Sequence, residues 1–222
     1  MTMYPRNSMP VMQAPSLQEP KPSVLGAERA GGGVDVRVAN RDPTLISQAR
    51  ALVRRRYADV GLGTAQLAAA EAEEGMILVA SQDGRVVGTL TLRFDGDSGA
   101  HGGRGCLGAD EQYRSQLDAL RNQGARLCEA VRLAFEPSFG TPRNLALLFE
   151  AALDASLLGS RPTDVVIECH PRHARFYRRV LGMAQLGPLS LCRRVLAPAV
   201  LMHLPVQRLA AWLGCVGGRA CH

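Results

Sequence analysis

The sequence predicts a mixed α/β protein in which one central sheet carries helices on both faces. Three observations lead to this fold class. Helical and β-rich runs alternate along the chain in the order α-β-β-α-β-α-β-α-β, which is typical of a layered α/β sheet. Asp83-Gly84 joins two β-rich runs and indicates a tight hairpin, so part of the sheet is antiparallel. A chain of 222 residues can also bury one complete core.

Apolar spacing and the residues that begin or end helices predict each element in turn. Asp42 and Pro43 are typical of a helix start, and Leu45 and Ala49 begin an apolar stripe on that helix. Residues 59–75 are either a weak helix or a mobile loop, and both interpretations stay open. The remaining predicted elements are a hairpin over 76–94, a helix near 110–123, a buried strand at 127–135, a helix over 144–159, a strand at 164–169, a helix from Pro171, and a last strand within 195–204 that Pro198 interrupts.

Composition divides the chain into three parts. Residues 1–33 contain five prolines and end in three glycines, which predicts a disordered leader. Residues 34–204 hold the helical and β-rich runs and are the predicted folded domain. Residues 205–222 are a short amphipathic tail around Trp212, which either packs on the domain as a helix or touches a membrane surface or a second subunit.

The chain is basic, with a formal net charge of +6 and a pI near 9.3. Such a charge suits an acidic partner, for example nucleic acid or an acidic carrier protein. Lys21 is the only lysine, however, so a coding bias toward arginine explains the excess as well as phosphate recognition does. Nucleic-acid binding is therefore not the expected function.

The cysteines and the apolar runs bear on where the protein works. Its six cysteines include no CxxC pair, and no secretory leader precedes them, which indicates reduced thiols in the cytoplasm. The longest apolar stretch, at 195–204, is about half of the ~20 residues that a membrane-spanning helix requires. We therefore expect a soluble cytoplasmic protein without a transmembrane segment.

The stretch ECHPRHARFYRRVLGM, residues 168–183, concentrates histidines and arginines. It has no H-x-x-x-H or paired-cysteine spacing, so no metal site is predicted. A helix that reads nucleic acid would interleave aromatic side chains with its arginines, whereas here the aromatic residues share an apolar stripe. The predicted inward stripe consists of His173, Phe176, Tyr177, Val180 and Leu181. The arginines between these positions are expected to face outward.

Six segments in a fixed order carry a resemblance to a known family. They read RRRYADVGL, GTLTLRFD, ADEQYRSQLDALR, LCEAVRLAFE, HPRHARFYRRVLGM and APAVLMHL. Together they resemble the FeeM-type N-acyl amino acid synthases, which are GNAT-fold acyltransferases related to the acyl-homoserine lactone synthases. The resemblance implies a GNAT-like, mostly antiparallel mixed sheet. It also implies transfer of a long fatty acyl chain from an acyl carrier protein to the α-amine of an amino acid.

The segment EPSFGTPRN bears on the acyl donor. An acetyl-CoA-dependent GNAT enzyme holds the pyrophosphate on a glycine-rich loop before a helix. Here Gly140 is the only glycine of that segment, so the cradle is missing or altered. A carrier protein presents its acyl group on phosphopantetheine, without the adenosine diphosphate part of CoA. We therefore expect no bound cofactor, and an acidic carrier that suits the arginine-rich surface.

Glu129 and Arg132 match the E-x-x-R pattern of the lactone synthases. Because an amino-acid ammonium must lose a proton before it attacks a thioester, Glu129 is the first candidate for the base or for the residue that orients the amine. Strict strand alternation places the two side chains on opposite faces, whereas a β-bulge between them would bring both to one side. Backbone N-H groups at such a bulge are candidates to stabilise the oxyanion.

Further candidates follow from the resemblance. Tyr177 lies near the position of a tyrosine that protonates the departing thiolate in many GNAT enzymes, and His173 is the alternative donor or a pocket wall. Four other residues match segments that line the substrate pocket, namely Arg55, Tyr57, Asp110 and Tyr113. Asp110 is equally well placed to be a helix N-cap.

Two classes of function remain at this point. The first is an N-acyltransferase with an amino-acid acceptor. The second is a non-catalytic GNAT-like module that binds an acyl carrier protein or an acyl ligand. The sequence identifies neither the amino acid nor the acyl chain length.

Overall fold

A computed structural model describes residues 33–62, 75–96 and 107–216. The strands of this part are β1 (Asp35–Val38), β2 (Met76–Gln82), β3 (Arg85–Phe94), β4 (Leu127–Phe135), β5 (Asp164–Cys169), β6 (Ala184–Gln185), β7 (Ser190–Cys192) and β8 (Ala197–Pro205). The helices are α1 (Pro43–Ala58), α2 (Asp110–Asn122), α3 (Pro142–Leu157), α4 (Pro171–Phe176) and α5 (Val206–Val216). A 3-10 turn at Pro137–Phe139 precedes α3, and a π-helical turn at Tyr177–Leu181 continues α4.

The described strands form one eight-stranded sheet with the order β1-β2-β3-β4-β5-β8-β6, and β7 pairs with β8. Only β4 and β5 pair in parallel among these strands; every other pair is antiparallel. The expected mixed, mostly antiparallel sheet is thus confirmed. The hairpin at Asp83-Gly84 is confirmed as well, since φ angles of 50° and 74° at these residues suit the tight turn.

Helices cover both faces of the sheet, as predicted. On one face, which we call the upper face, α1 packs through Leu52 and Val53 against β2, β3 and β4, and α2 packs through Leu117 against β4, β5 and β8. On the other face, the lower face, α3, α4 and α5 cover the largest apolar cluster of the protein. Strand alternation explains this division, because successive side chains of β4 point to opposite faces.

The end of the chain differs from the expectation in one respect. Strand β8 runs without interruption through Pro198, which lies opposite Leu191 of β7. Pro198 is beyond the reach of β5, whose pairing with β8 ends at Val200, and proline is tolerated where a strand has one open side. Helix α5 follows directly and packs on the lower face through the buried Leu209.

The predictions made for residues 1–32, 63–74 and 217–222 concern parts of the chain outside the described residues. Strands β1, β6 and β7 were not predicted, because each is only two to four residues long. No helix of the described part is long and apolar enough to cross a membrane.

Candidate active site

The two parallel strands at the centre of the sheet separate after a short contact. Strand β4 pairs with β5 only from Leu127 to Glu129, opposite Asp164 to Val166. Beyond that point β5 continues alone with β8, and a gap opens between β4 and β5. We call this opening the β4–β5 gap.

A β-bulge in β4 lies beside the gap, so of the two open alternatives the bulge is the one present. Thr91 of β3 pairs with Val131, but Thr89 pairs with Ala134, so β4 carries one extra residue there. Arg132 lies in this bulge and has a φ of 55°. Its side chain lines a small cleft beneath α1, so the bulge places Arg132 on the upper face. Glu129 contacts the segment before α2 on the same face, so the two residues share a side of the sheet.

Glu129 is fully buried and held on several sides. Its Oε2 accepts a hydrogen bond from the backbone N-H of Gly108 at 2.7 Å, and its Oε1 accepts one from Ala109 at 3.1 Å. The guanidinium groups of Arg194 and Arg93 lie 3.6 Å and 3.9 Å from its oxygens. Burial raises the pKa of this carboxyl, and the two arginines oppose that rise. Both oxygens of Glu129 are therefore engaged by the protein itself.

A second carboxylate, Glu168, lies on β5 two residues beyond the last pairing with β4. Its Oε2 forms an ion pair with Arg194, which comes from the turn between β7 and β8. Burial alone would lower the pKa of Arg194, but Glu129 and Glu168 raise it, so the guanidinium stays charged. We call the three residues Glu129, Arg194 and Glu168 the gap cluster.

Sequence reasoning missed Glu168 and Arg194 as site residues. One signal was present for Glu168: it is a lone internal carboxylate in the otherwise apolar strand segment VVIEC, in alternation with Val166. The approach of Arg194 depends on Gly108, because a methyl group at position 108 would collide with its guanidinium. No local pattern connects residues that lie so far apart along the chain.

Two predicted pocket residues border the gap cluster. Tyr57 is half-buried at the end of α1; burial raises its pKa, and the charges of Arg132 and Arg194 oppose that rise. Tyr113 of α2 is fully buried, and its hydroxyl donates a hydrogen bond to the carbonyl oxygen of Ala199 at 2.9 Å. Burial and then Glu168 raise the pKa of Tyr113 to about 12.

Two other predicted pocket residues lie apart from the gap cluster. Arg55 is on the surface, with 53% of its side chain exposed, and forms an ion pair with Glu136 at 2.9 Å. Asp110 is buried and binds Arg121 at 2.7 Å. The N-cap interpretation of Asp110 is wrong, because Ala109 holds that position and Asp110 begins the helix. Its Oδ2 instead accepts a hydrogen bond from the N-H of Leu107, which fixes the segment that meets Glu129.

Tyr177 and His173 lie on the helix that follows β5. The predicted inward stripe is confirmed for Tyr177 and Leu181, which are buried, while His173 is half-buried. Burial, followed by Cys169 and Tyr57, raises the pKa of Tyr177, so its phenol keeps its proton at neutral pH. Burial also lowers the pKa of His173, which is therefore neutral. The Nε2 atom of His173 is buried and has no hydrogen-bond partner within the part of the chain that the structure describes.

The outward arginines of this helix are all exposed, as predicted: Arg172, Arg175, Arg178 and Arg179. The rings of His170 and His173 are 6.3 Å apart in an edge arrangement. Across residues 33–62, 75–96 and 107–216, no group of three histidine, cysteine, aspartate or glutamate side chains is placed to hold a metal ion.

A mostly antiparallel sheet, with one parallel pair that separates at a buried carboxylate, defines an α/β acyltransferase of the GNAT class. The family profile of the N-acyl amino acid synthase FeeM matches residues 48–205, which is more than half of the chain. The protein therefore belongs to the FeeM family of N-acyl amino acid synthases. A comparison with curated proteins found no match.

Solved structures agree with this assignment. The structure of FeeM, an N-acyl amino acid synthase from uncultured soil microbes, matches with a TM-score of 0.67 and 26% sequence identity, covering 82% of this chain and 94% of that chain. The acyl-homoserine lactone synthase LasI matches with a TM-score of 0.58 and 13% identity, covering 79% and 91%. The CoA-dependent acyl-homoserine lactone synthase BjaI matches with a TM-score of 0.57 and 15% identity, covering 84% and 90%. The last two share the fold with this chain.

Proposed function

We propose that the protein transfers a long-chain acyl group from the phosphopantetheine of an acyl carrier protein to the α-amine of an amino acid. The observation that carries this proposal is the gap cluster beside the β4–β5 gap, in a chain of the FeeM family. It puts buried carboxylates where two strands leave room for a thioester arm. The reaction forms a C-N bond, breaks the C-S bond, and moves one proton from the amine toward the departing thiolate.

The start of α3 supports a carrier protein as the donor. Pro142 has no N-H to offer, and the N-H of Asn144 already bonds the side chain of Thr141 at 3.2 Å. Glu136, which precedes this turn, forms ion pairs with the exposed Arg55 and Arg85. A pyrophosphate would meet few backbone N-H donors here. Phosphopantetheine on a carrier has no pyrophosphate to place, and the free thiols Cys169 and Cys192 suit the cytoplasm, where such carriers work.

The site suggests a division of roles. Glu129 orients the amine or accepts its proton on the lone pairs that the hydrogen bonds from Gly108 and Ala109 leave free, and the bulge at Arg132 turns backbone N-H groups toward the oxyanion of the tetrahedral intermediate. Tyr177 is the better donor to the thiolate. Its phenol still holds a proton at neutral pH, whereas the uncharged imidazole of His173 has no imidazolium proton to give. Tyr57 borders the pocket.

The remaining candidates act from positions around the site. Tyr113 forms the wall of the pocket beside Glu168. Asp110 accepts a hydrogen bond from the N-H of Leu107 and so holds the segment that contacts Glu129. Arg55 forms a surface ion pair with Glu136, which precedes α3.

The direct test is product formation. The purified protein is incubated with long-chain acyl carrier proteins or with the matching acyl-CoAs, together with each of the twenty amino acids, and N-acyl products are identified by mass spectrometry. We expect product with at least one amino acid and a clear preference for the carrier-bound donor. No product with any pair, from folded protein that binds the carrier, would support a non-catalytic module instead. A preference for acyl-CoA would contradict the donor assignment.

Glu129→Gln tests the catalytic role within that assay. Glutamine keeps the shape but cannot accept hydrogen bonds from both Gly108 and Ala109, and it cannot take a proton. We expect product formation to fall by about 10²-fold or more, as for loss of a general base. Glu111→Gln is the matched control, because that carboxylate is 40% exposed and its nearest cation is 3.9 Å away. An active Glu129→Gln variant would remove Glu129 from the mechanism.

A further inference from the structure

We propose that Oε1 of Glu168 binds the α-ammonium of the acceptor amino acid and so positions the amine at the β4–β5 gap. This proposal rests on the proposed function and deepens it, since it assigns the acceptor-binding residue of the same site. Glu168 is a carboxylate whose side chain is 4% exposed. It was not among the residues that the sequence pattern singled out.

The two carboxylates of the gap cluster differ in what remains available to a substrate. Glu129 has backbone donors on both of its oxygens, from Gly108 and Ala109. Glu168 uses Oε2 for its ion pair with Arg194, while Oε1 is buried and has no hydrogen-bond partner in the described parts of the chain. A buried carboxylate oxygen is normally paired, so Oε1 marks a place that a donor is needed to fill.

Its position is where an acceptor has to lie. Glu168 stands two residues past Val166, the last residue of β5 that pairs with β4. By alternation along β5, Glu168 and Val166 point to the same, upper face, on which Glu129 also lies. A substrate amine at Oε1 would therefore sit at the opening of the gap and on the same side of the sheet as Glu129.

The surroundings of Glu168 indicate that the missing donor is a cation. The pKa of Tyr113 and that of Cys169 are each raised to about 12, by burial first and by Glu168 second. The Cys192 thiol also has a raised pKa with the same first two causes. These neighbours are neutral at pH 7 and supply no positive charge. Among the described residues, the cation paired with Glu168 is Arg194, which is shared with Glu129 at 3.6 Å.

An amino-acid ammonium meets this need in charge and in geometry. It carries one positive charge and three N-H donors, and a charge-assisted hydrogen bond to a buried carboxylate is among the stronger polar contacts. An α-hydroxy acid of the same side chain has the same shape but lacks the charge. The site should therefore distinguish an α-amine from an α-hydroxyl group.

The experiment measures binding apart from turnover. Thermal unfolding of the wild-type protein and of Glu168→Gln is followed with each of the twenty amino acids, and with the α-hydroxy acid that matches any amino acid that binds. We expect the wild-type protein to be stabilised by at least one amino acid, with about 10- to 100-fold weaker binding in Glu168→Gln. The matching α-hydroxy acid should bind both proteins weakly and about equally.

Kinetics and a second variant complete the test. In Glu168→Gln, KM for the amino acid should rise by a similar factor, while KM for the acyl donor stays within about twofold. Glu168→Asp keeps the charge, and its amino-acid affinity should lie between those of the wild-type protein and Glu168→Gln. This variant also keeps the test valid if Glu168→Gln folds poorly. Glu111→Gln is the surface control.

Wild-type amino-acid affinity in Glu168→Gln, or no amino-acid binding by the wild-type protein, would overturn the assignment. Binding that depends on Glu168 without any N-acyl product would uphold this assignment and contradict the proposed function instead.

Discussion

Two buried ionic clusters lie on the upper face of this sheet, and they differ in how completely they are satisfied. In the first, which we call the Arg121 cluster, Arg121 of α2 binds Asp95, Asp110 and Asp118 at 2.7 to 2.8 Å. Burial alone would lower the pKa of Arg121, but the hydrogen bonds that it donates to the three aspartates raise it. Each of these acids lies within direct bonding distance of the guanidinium.

The gap cluster is built from the same kinds of group but leaves one atom open. Arg194 divides its charge between Glu129 and Glu168, and Oε1 of Glu168 has no hydrogen-bond partner among the described residues. A complete cluster holds the fold, whereas an incomplete one in a buried site is suited to bind something else. The proposed function gives the gap cluster a functional role and the Arg121 cluster a structural one, although both clusters look alike in composition.

The largest effect on stability should come from breaking the complete cluster. Arg121→Met leaves the buried Asp110 and the mostly buried Asp95 without their cation, so we expect the free energy of unfolding to fall by about 3–5 kcal/mol. Urea unfolding measures it. Arg85→Met is the control, because Arg85 is 73% exposed and its single ion pair should contribute about 1 kcal/mol or less. Equal losses in the two variants would contradict the structural role of the Arg121 cluster.

A smaller loss of stability with a larger loss of activity should follow from disturbing the gap cluster. In Gly108→Ala the new methyl group displaces Arg194 from Glu129 and Glu168. We expect a loss of about 1–3 kcal/mol from overpacking, together with a marked fall in N-acyl product formation per folded molecule. Gly159→Ala is the control, since a methyl group there meets open space. A fully active Gly108→Ala variant would show that Arg194 does not need this position.

The smallest effect concerns pH. His173 has a pKa below its ordinary value of 6.5 in the folded protein, because burial disfavours its charged form. The unfolded chain therefore takes up more protons as the pH falls below 6.5, and the stability present above that pH is progressively lost. His173→Gln removes this titration. The drop in melting temperature between about pH 7.5 and about pH 5.5 should then be smaller than in the wild-type protein. Identical drops would show that His173 does not titrate in this way.

Local patterns predicted much of the fold and part of the site. Asp83-Gly84 specified the hairpin because only a few residue types accept its positive φ angles. The helical stripe separated the buried Tyr177 from the exposed arginines beside it. The E-x-x-R pattern required a bulge for Glu129 and Arg132 to share a face, and that bulge is present. Each of these depends on neighbours within a few positions.

The sequence by itself determined the order of the longer elements, the hairpin, the inward face of the helix after β5, and the family, because these follow from short-range periodicity and from motifs in order. Only the tertiary structure decided which charges meet. Arg194 contacts Glu168, which is 26 residues away along the chain, and Glu129 of β4. Its guanidinium fits there because residue 108, in another segment, is a glycine. Such contacts depend on strand order and on the separation of β4 from β5. Gly108 and Ala109 engage both oxygens of Glu129, whereas Glu168, beyond the last β4–β5 pair, keeps Oε1 without a hydrogen-bond partner among the described residues.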